Sequence, residues 1–139
     1  TLKKRERPRL LVIGGEGSND EFVYSVERYD PSTNAWEEEA VAPMLTARSY
    51  VGTAVLDGKL YAAGGETVAD GATSSLVERY DFATNAWEAV APMATARQEH
   101  VVAVLDGKLY AAGGVSVADN FVATSNLVER YDMATKSWE

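Results

Sequence analysis

The residues of this chain that could do chemistry are few. There is one histidine, His100, and no cysteine. Thiolate nucleophiles, disulfides and a histidine-cluster metal site within one chain are therefore excluded. Glu99 and His100 are neighbours in what reads as a strand. Their side chains point to opposite faces and do not form a local acid–base dyad. Glu37, Glu38 and Glu39 make a carboxylate run, which at a sheet edge is a solvated face. Glycine pairs stand at Gly14-Gly15, Gly64-Gly65 and Gly113-Gly114, but no helix N-terminus follows them to complete a phosphate site. The expectation is no enzyme, no metal and no cofactor. What remains suited to binding is a set of loops whose letters differ from one another; Arg48 and Arg97, each ending a Thr-Ala-Arg triplet, could also meet a ligand, but their repetition favours a structural role.

Those residues sit within a repeat. Leu56–Gly65, LDGKLYAAGG, returns unchanged as Leu105–Gly114, and Arg9–Gly15 is a shortened relative. Asp-Gly between apolar runs predicts a two-residue hairpin turn, because a type I′ turn needs positive φ at both central positions. The glycine pair marks backbone that takes special angles or is closely approached. Val-Glu-Arg-Tyr-Asp begins at Val26, Val77 and Val128, and the tryptophans are Trp36, Trp87 and Trp138, both series spaced by 51. Ala-Pro-Met occurs at Ala42 and Ala91.

The order of signals is apolar run, Asp-Gly, Tyr, Gly-Gly, variable loop, Glu-Arg-Tyr-Asp, turn, Trp, Pro-Met and Arg. It resembles the kelch repeat, whose units of about 50 residues are four-stranded propeller blades. The resemblance implies an all-β kelch-type β-propeller. Residues 1–8 read as a basic linker and 9–139 as a propeller segment, with blades at 9–39, 50–90 and 100–139. The predicted strands of the second unit are Tyr50–Leu56, Lys59–Gly65, Ser75–Asp81 and Ala86–Val90. Those of the third are His100–Leu105, Lys108–Gly114, Asn126–Asp132 and Ser137–Glu139. The first unit lacks an innermost strand and offers Leu10–Gly15, Phe22–Asp30 and Ala35–Glu38. In Val-Glu-Arg-Tyr-Asp, period two places Val77, Arg79 and Asp81 on one face and Glu78 and Tyr80 on the other. Tyr80 and Trp87 are expected as anchors between blades, and Arg28, Arg79 and Arg130 as paired charges.

Net charge is −8, with +4 over the first nine residues and −12 over the rest. Such an acidic body repels phosphates, so no nucleic acid is expected. No apolar run approaches the length of a membrane span, so no membrane partner is expected either. Cysteine-free composition suits a cytoplasmic protein.

Repetition sorts structure from function. A residue present in every blade does the same structural job in each, while the letters that differ can read a ligand. They lie in two sets. One is the loops between the second and third strands of each blade, with Asn19, Asp70, Thr73, Asp119, Asn120 and Phe121. The other follows Thr-Ala-Arg, with Ser49, Tyr50, Gln98 and Glu99. Both lie at one end of the blades, since the second strand ends where the first begins. Kelch proteins that recognise peptides bind them on this rim. The resemblance therefore implies a protein–protein interaction module for a protein or peptide partner, similar to the substrate-recognition half of BTB–kelch adaptors for cullin ubiquitin ligases. Two alternatives stand beside it: a consensus-like or engineered structural array without a ligand, and a sialic-acid isomerase-type enzyme. Three units are short of the 4–8 blades of a closed ring. A homodimer making one six-bladed ring is therefore expected, with an innermost strand missing from each first blade.

Overall fold

The Asp-Gly turns set the registers. Asp57 and Gly58 have φ of 48° and 70°, and Asp106 and Gly107 have 49° and 71°, the type I′ signature. The structure, a computed structural model, describes residues 10–37, 40–67, 71–119 and 121–139. The linker expected over 1–8 lies outside them.

The strands in chain order are β1 (Leu10–Ile13), β2 (Val26–Asp30), β3 (Ala35–Glu37), β4 (Arg48–Ser49), β5 (Gly52–Leu56), β6 (Lys59–Ala63), β7 (Glu66–Thr67) and β8 (Val77–Asp81). They continue as β9 (Ala86–Val90), β10 (Val101–Leu105), β11 (Lys108–Ala112), β12 (Val115–Ala118), β13 (Phe121–Thr124), β14 (Val128–Asp132) and β15 (Ser137–Trp138). Three antiparallel blades result: β1-β2-β3, β5-β6-β8-β9 and β10-β11-β14-β15. Among the described residues the first has three strands and the others four, as the repeat predicts. No helix of the described residues is long and apolar enough to cross a membrane.

Two segments differ from expectation. Phe22–Ser25 does not extend β2; Phe22 makes only a bridge to Glu16. The Val115–Ser125 loop instead contains the hairpin β12–β13, closed from Ala118 to Phe121. Its alternating Val-Ser-Val is strand-like, and Asp119 at φ 50° starts its turn.

Blades stack face on face, so each seam has its own core. Between the first and second, Val26, Val41 and Met44 pack with Leu60, Ala62, Tyr80 and Trp87. Between the second and third, Tyr61, Ala63, Val77 and Met93 pack with Leu109, Ala111 and Tyr131. A strand of the second blade therefore has no solvent face: Val77 serves one seam and Tyr80 the other. Tyr80 and Trp87 pack with tilted rings, centroids 5.4 Å apart, and the indole Nε1 donates to the Ala42 carbonyl at 2.8 Å. Trp138 repeats this with the Ala91 carbonyl at 2.9 Å.

Candidate functional site: the loop rim and the connectors beneath it

The connector from the first blade to the second is Ala42–Ser49, and it crosses the glycine pairs. Gly15 N–H donates to the Arg48 carbonyl at 2.9 Å, and Gly65 N–H to the Arg97 carbonyl at 2.7 Å. A Cβ on Gly64 or Gly65 would strike the Arg97 or the Ser49 carbonyl. Both glycines also have positive φ, at 67° and 94°. Close approach and backbone angle together require glycine here.

Each connector delivers an arginine into the blade ahead of it. Arg48 is fully buried; it donates to Glu78 Oε2 at 2.8 Å and to the Gly64 and Leu76 carbonyls at 2.9 Å. Glu78 also accepts the Leu45 N–H at 2.6 Å. Arg97 repeats the arrangement with Glu129 and the carbonyls of Gly113 and Leu127. Glu129 accepts from Ala94 and Thr95 N–H as well. Burial pushes the Arg48 guanidinium below its ordinary pKa, and Glu78 opposes that shift. These two arginines are seam bolts, not ligand clamps. Arg28, Arg79 and Arg130 form lateral pairs with Glu37, Glu88 and Glu139.

The two sets of variable residues do meet. β4 pairs with β7, placing Ser49 opposite Glu66, and Gln98 bridges Val115. Thr73 Oγ1 donates to Gln98 Oε1 at 3.1 Å and accepts from Val117 N–H at 2.7 Å. Ser49 and Gln98 are buried, so their side chains belong to the seam. Tyr50 and Glu99, one residue on, are exposed, and each adopts φ of 53°. That left-handed residue turns the chain from connector to inner strand and points its side chain out to the rim. Asn19 and Asp119 are exposed, and Phe121 stands 72% exposed beside Val122 on the β12–β13 hairpin. Asp70 and Asn120 lie outside the described residues.

His100 follows Glu99 but turns inward. Its ring lies against the backbone of Gly52 and Gly64, and neither ring nitrogen meets a protein partner. Burial, aided by the Arg97 charge, lowers its pKa to about 4. Among the described residues no acid pairs with it. Among the described residues no group of three or more His, Cys, Asp or Glu side chains could hold a metal.

Sequence reasoning missed the buried Glu78 and Glu129. The signal was present: period two puts Glu78 on the same seam-facing side as Tyr80.

The repeats match the family model described as Kelch motif at residues 8–40, 47–94 and 96–139. The chain belongs to the kelch-repeat family. It is 45% identical over 80 residues to an F-box/kelch-repeat protein of Arabidopsis thaliana, covering 56% of this chain and 16% of that protein. It is 40% identical over 78 residues to Kelch-like protein 40 of Mus musculus, covering 56% of this chain and 12% of that one. The matches thus span only a small part of these relatives. The solved structure of YjhT superposes with a TM-score of 0.72 at 21% identity, covering 96% of this chain and 47% of that one. That likeness concerns the fold alone.

Proposed function

We propose that this kelch segment is a protein-binding module whose loop rim takes an extended segment of a protein partner, by equilibrium contact and without a covalent step. One observation carries the reading. The connectors close their repeated residues inside the seams, while Tyr50, Glu99 and Phe121, which differ between repeats, stand exposed at the rim. An exposed phenylalanine and tyrosine are the residue types that anchor interfaces. In the finer form of this proposal the partner is a substrate presented to a ubiquitin ligase in the cytoplasm. The F-box/kelch and Kelch-like names of the relatives support it.

The test is affinity capture from lysate with the native chain and with a triple variant, Tyr50→Ala, Glu99→Ala and Phe121→Ala. The reading expects partners held by the native chain and lost by the variant. Equal capture by both would sink the rim assignment, and turnover of a sialic acid would replace binding with catalysis.

Self-association is the second part of the proposal. The outer face of the first blade exposes Leu10, Val12 and Trp36, and that of the third exposes Val101, Leu105 and Val128. Apolar faces of this kind are association surfaces. Two copies, head to tail, would stack them. Light scattering is expected to give twice the 15.0 kDa chain mass; a folded monomer at all concentrations would refute it.

A further inference from the structure

The variable residues of two blades form one hydrogen-bonded platform. β4 places Ser49 opposite Glu66, and Glu66 bridges Thr73. Thr73 then reaches the next blade. Its N–H donates to the Val117 carbonyl at 3.1 Å, and its Oγ1 accepts from Val117 N–H at 2.7 Å. Gln98 and Val115 exchange both backbone hydrogen bonds, at 2.9 and 3.0 Å. The β12–β13 hairpin is therefore gripped along β12 by the connector of its own blade and by the loop of the blade before it. A hairpin fixed in advance loses little freedom when a partner arrives. Beyond the grip Phe121 and Val122 are exposed, as is Tyr50 beside Ser49.

The charge around this platform has one sign. Glu16, Asp20, Glu21, Glu66, Glu99 and Asp119 lie on the rim loops, and none forms an ion pair among the described residues. The arginines at this end, Arg48 and Arg97, are sealed in the seams against Glu78 and Glu129. The lysines lie at the opposite end of the strands. Lys59 and Lys108 follow the Asp-Gly turns and pair with Asp81 and Asp132, and Lys136 sits in the β14–β15 turn. Carboxylates gathered at one end repel one another until a cation joins them. Exposed aromatic faces, here Tyr50 and Phe121, attract the same cation.

We infer that the rim platform selects a basic segment of a partner protein, one that carries lysine or arginine beside apolar residues. The inference rests on the reading of the rim as a protein-binding surface and adds the chemical class of the partner. Apolar side chains of the segment pack on Phe121 and Val122. Its cations meet Glu66, Glu99 and Asp119 and the face of Tyr50. An acidic segment finds no cation to receive it, since both rim arginines are already spent inside the seams. A second copy of this chain, rim to rim, would bring the same carboxylates together, which opposes that pairing.

The experiment titrates the full chain into two labelled peptides, one alternating lysine with valine and the other alternating glutamate with valine. Saturable binding of the lysine peptide is expected, with the glutamate peptide about tenfold weaker or more. The isosteric variant Glu66→Gln, Glu99→Gln and Asp119→Asn should weaken the lysine peptide about tenfold and flatten its salt dependence. Phe121→Ala should weaken it about tenfold with the salt dependence kept. The isosteric variant is expected to melt with the native chain; should it melt lower, Glu99→Gln alone, at an exposed side chain, carries the same comparison. Three results overturn the inference: no saturable binding of the lysine peptide, equal binding by native and isosteric chains, or a glutamate peptide held as tightly. Lysate partners lost by the Tyr50→Ala, Glu99→Ala and Phe121→Ala variant but kept by the isosteric one would leave the binding module standing and overturn the basic class alone.

Discussion

Glu27 and Glu78 hold the same place in two copies of one five-residue strand, yet their surroundings are opposite. Glu78 is 2% exposed and receives a guanidinium and a backbone N–H. Glu27 is half-buried, and among the described residues its side chain receives neither. Trp87 and Trp36 repeat the contrast. What differs is not the blade but the connector laid across it. The repeat unit as written in sequence is therefore not the unit of stability. A blade is finished only when the Pro-Met-Arg connector and inner strand of the preceding turn of sequence arrive, as repeat proteins with nearest-neighbour interfaces require.

The comparison breaks most visibly at the buried arginines. Arg48→Ala strands the Glu78 carboxylate in the seam together with the Gly64 and Leu76 carbonyls, and is expected to cost about 3–5 kcal/mol. Arg97→Ala should cost the same against Glu129. Glu27→Gln should fall within about 0.5 kcal/mol of the native chain. Urea denaturation of the three variants measures this, and equal losses at Glu27 and Arg48 would erase the distinction between open and closed blades.

Next in size are the tryptophans. Trp87→Ala removes a buried ring and the donor to Ala42, for about 3–5 kcal/mol. Trp36→Ala loses its contact with Tyr29 at 5.2 Å and little else, about 1 kcal/mol. Thermal melts of both variants should rank them in that order.

The repeat, the Asp-Gly turns and the blade order were legible because each rests on local chemistry repeated at fixed spacing. The seam ion pairs were not, because Arg48 and Glu78 lie 30 residues apart and each looks ordinary in its own triplet. The in-strand charge that does stand out is Arg79, and its partner Glu88 lies on the adjacent strand. The β12–β13 hairpin was hidden by the irregularity that marks the loops as variable. Of the rim, the distinction between buried Ser49 and exposed Tyr50 depends on a single left-handed residue, which sequence does not announce when that residue is not glycine.

A third, smaller effect is a pH dependence. His100 stays neutral in the seam, with its pKa at about 4 against an ordinary 6.5. The unfolded chain takes up a proton first as pH falls below 6.5, so stability drops from there until the folded form protonates near pH 4. Above 6.5 this contribution is complete and flat. His100→Val, which copies Val51 at the matching position of the preceding repeat, should remove that slope. Carboxylates such as Asp81, held low by Lys59, lose their contribution only at more acid pH. Urea midpoints of both chains between pH 7 and pH 4 would show it; parallel curves would mean that His100 is solvated.

The smallest effect on the fold is expected at the rim. Tyr50 and Glu99 keep exposed side chains on left-handed backbone. Replacing both by Ala leaves that strain in place, since alanine has the same Cβ, and removes side chains that are exposed at the rim. The melting temperature should hold within the range of about 0.5 kcal/mol usual for surface changes. Replacing both by Gly relieves the backbone and should stabilise slightly, by an amount limited by glycine's greater freedom in the unfolded chain. If the alanine pair instead destabilises the chain as Trp87→Ala does, those side chains belong to the blade seam and not to a binding rim. If stability holds and capture of a partner is lost, the rim and the seam separate as functions, with one residue of left-handed backbone between them.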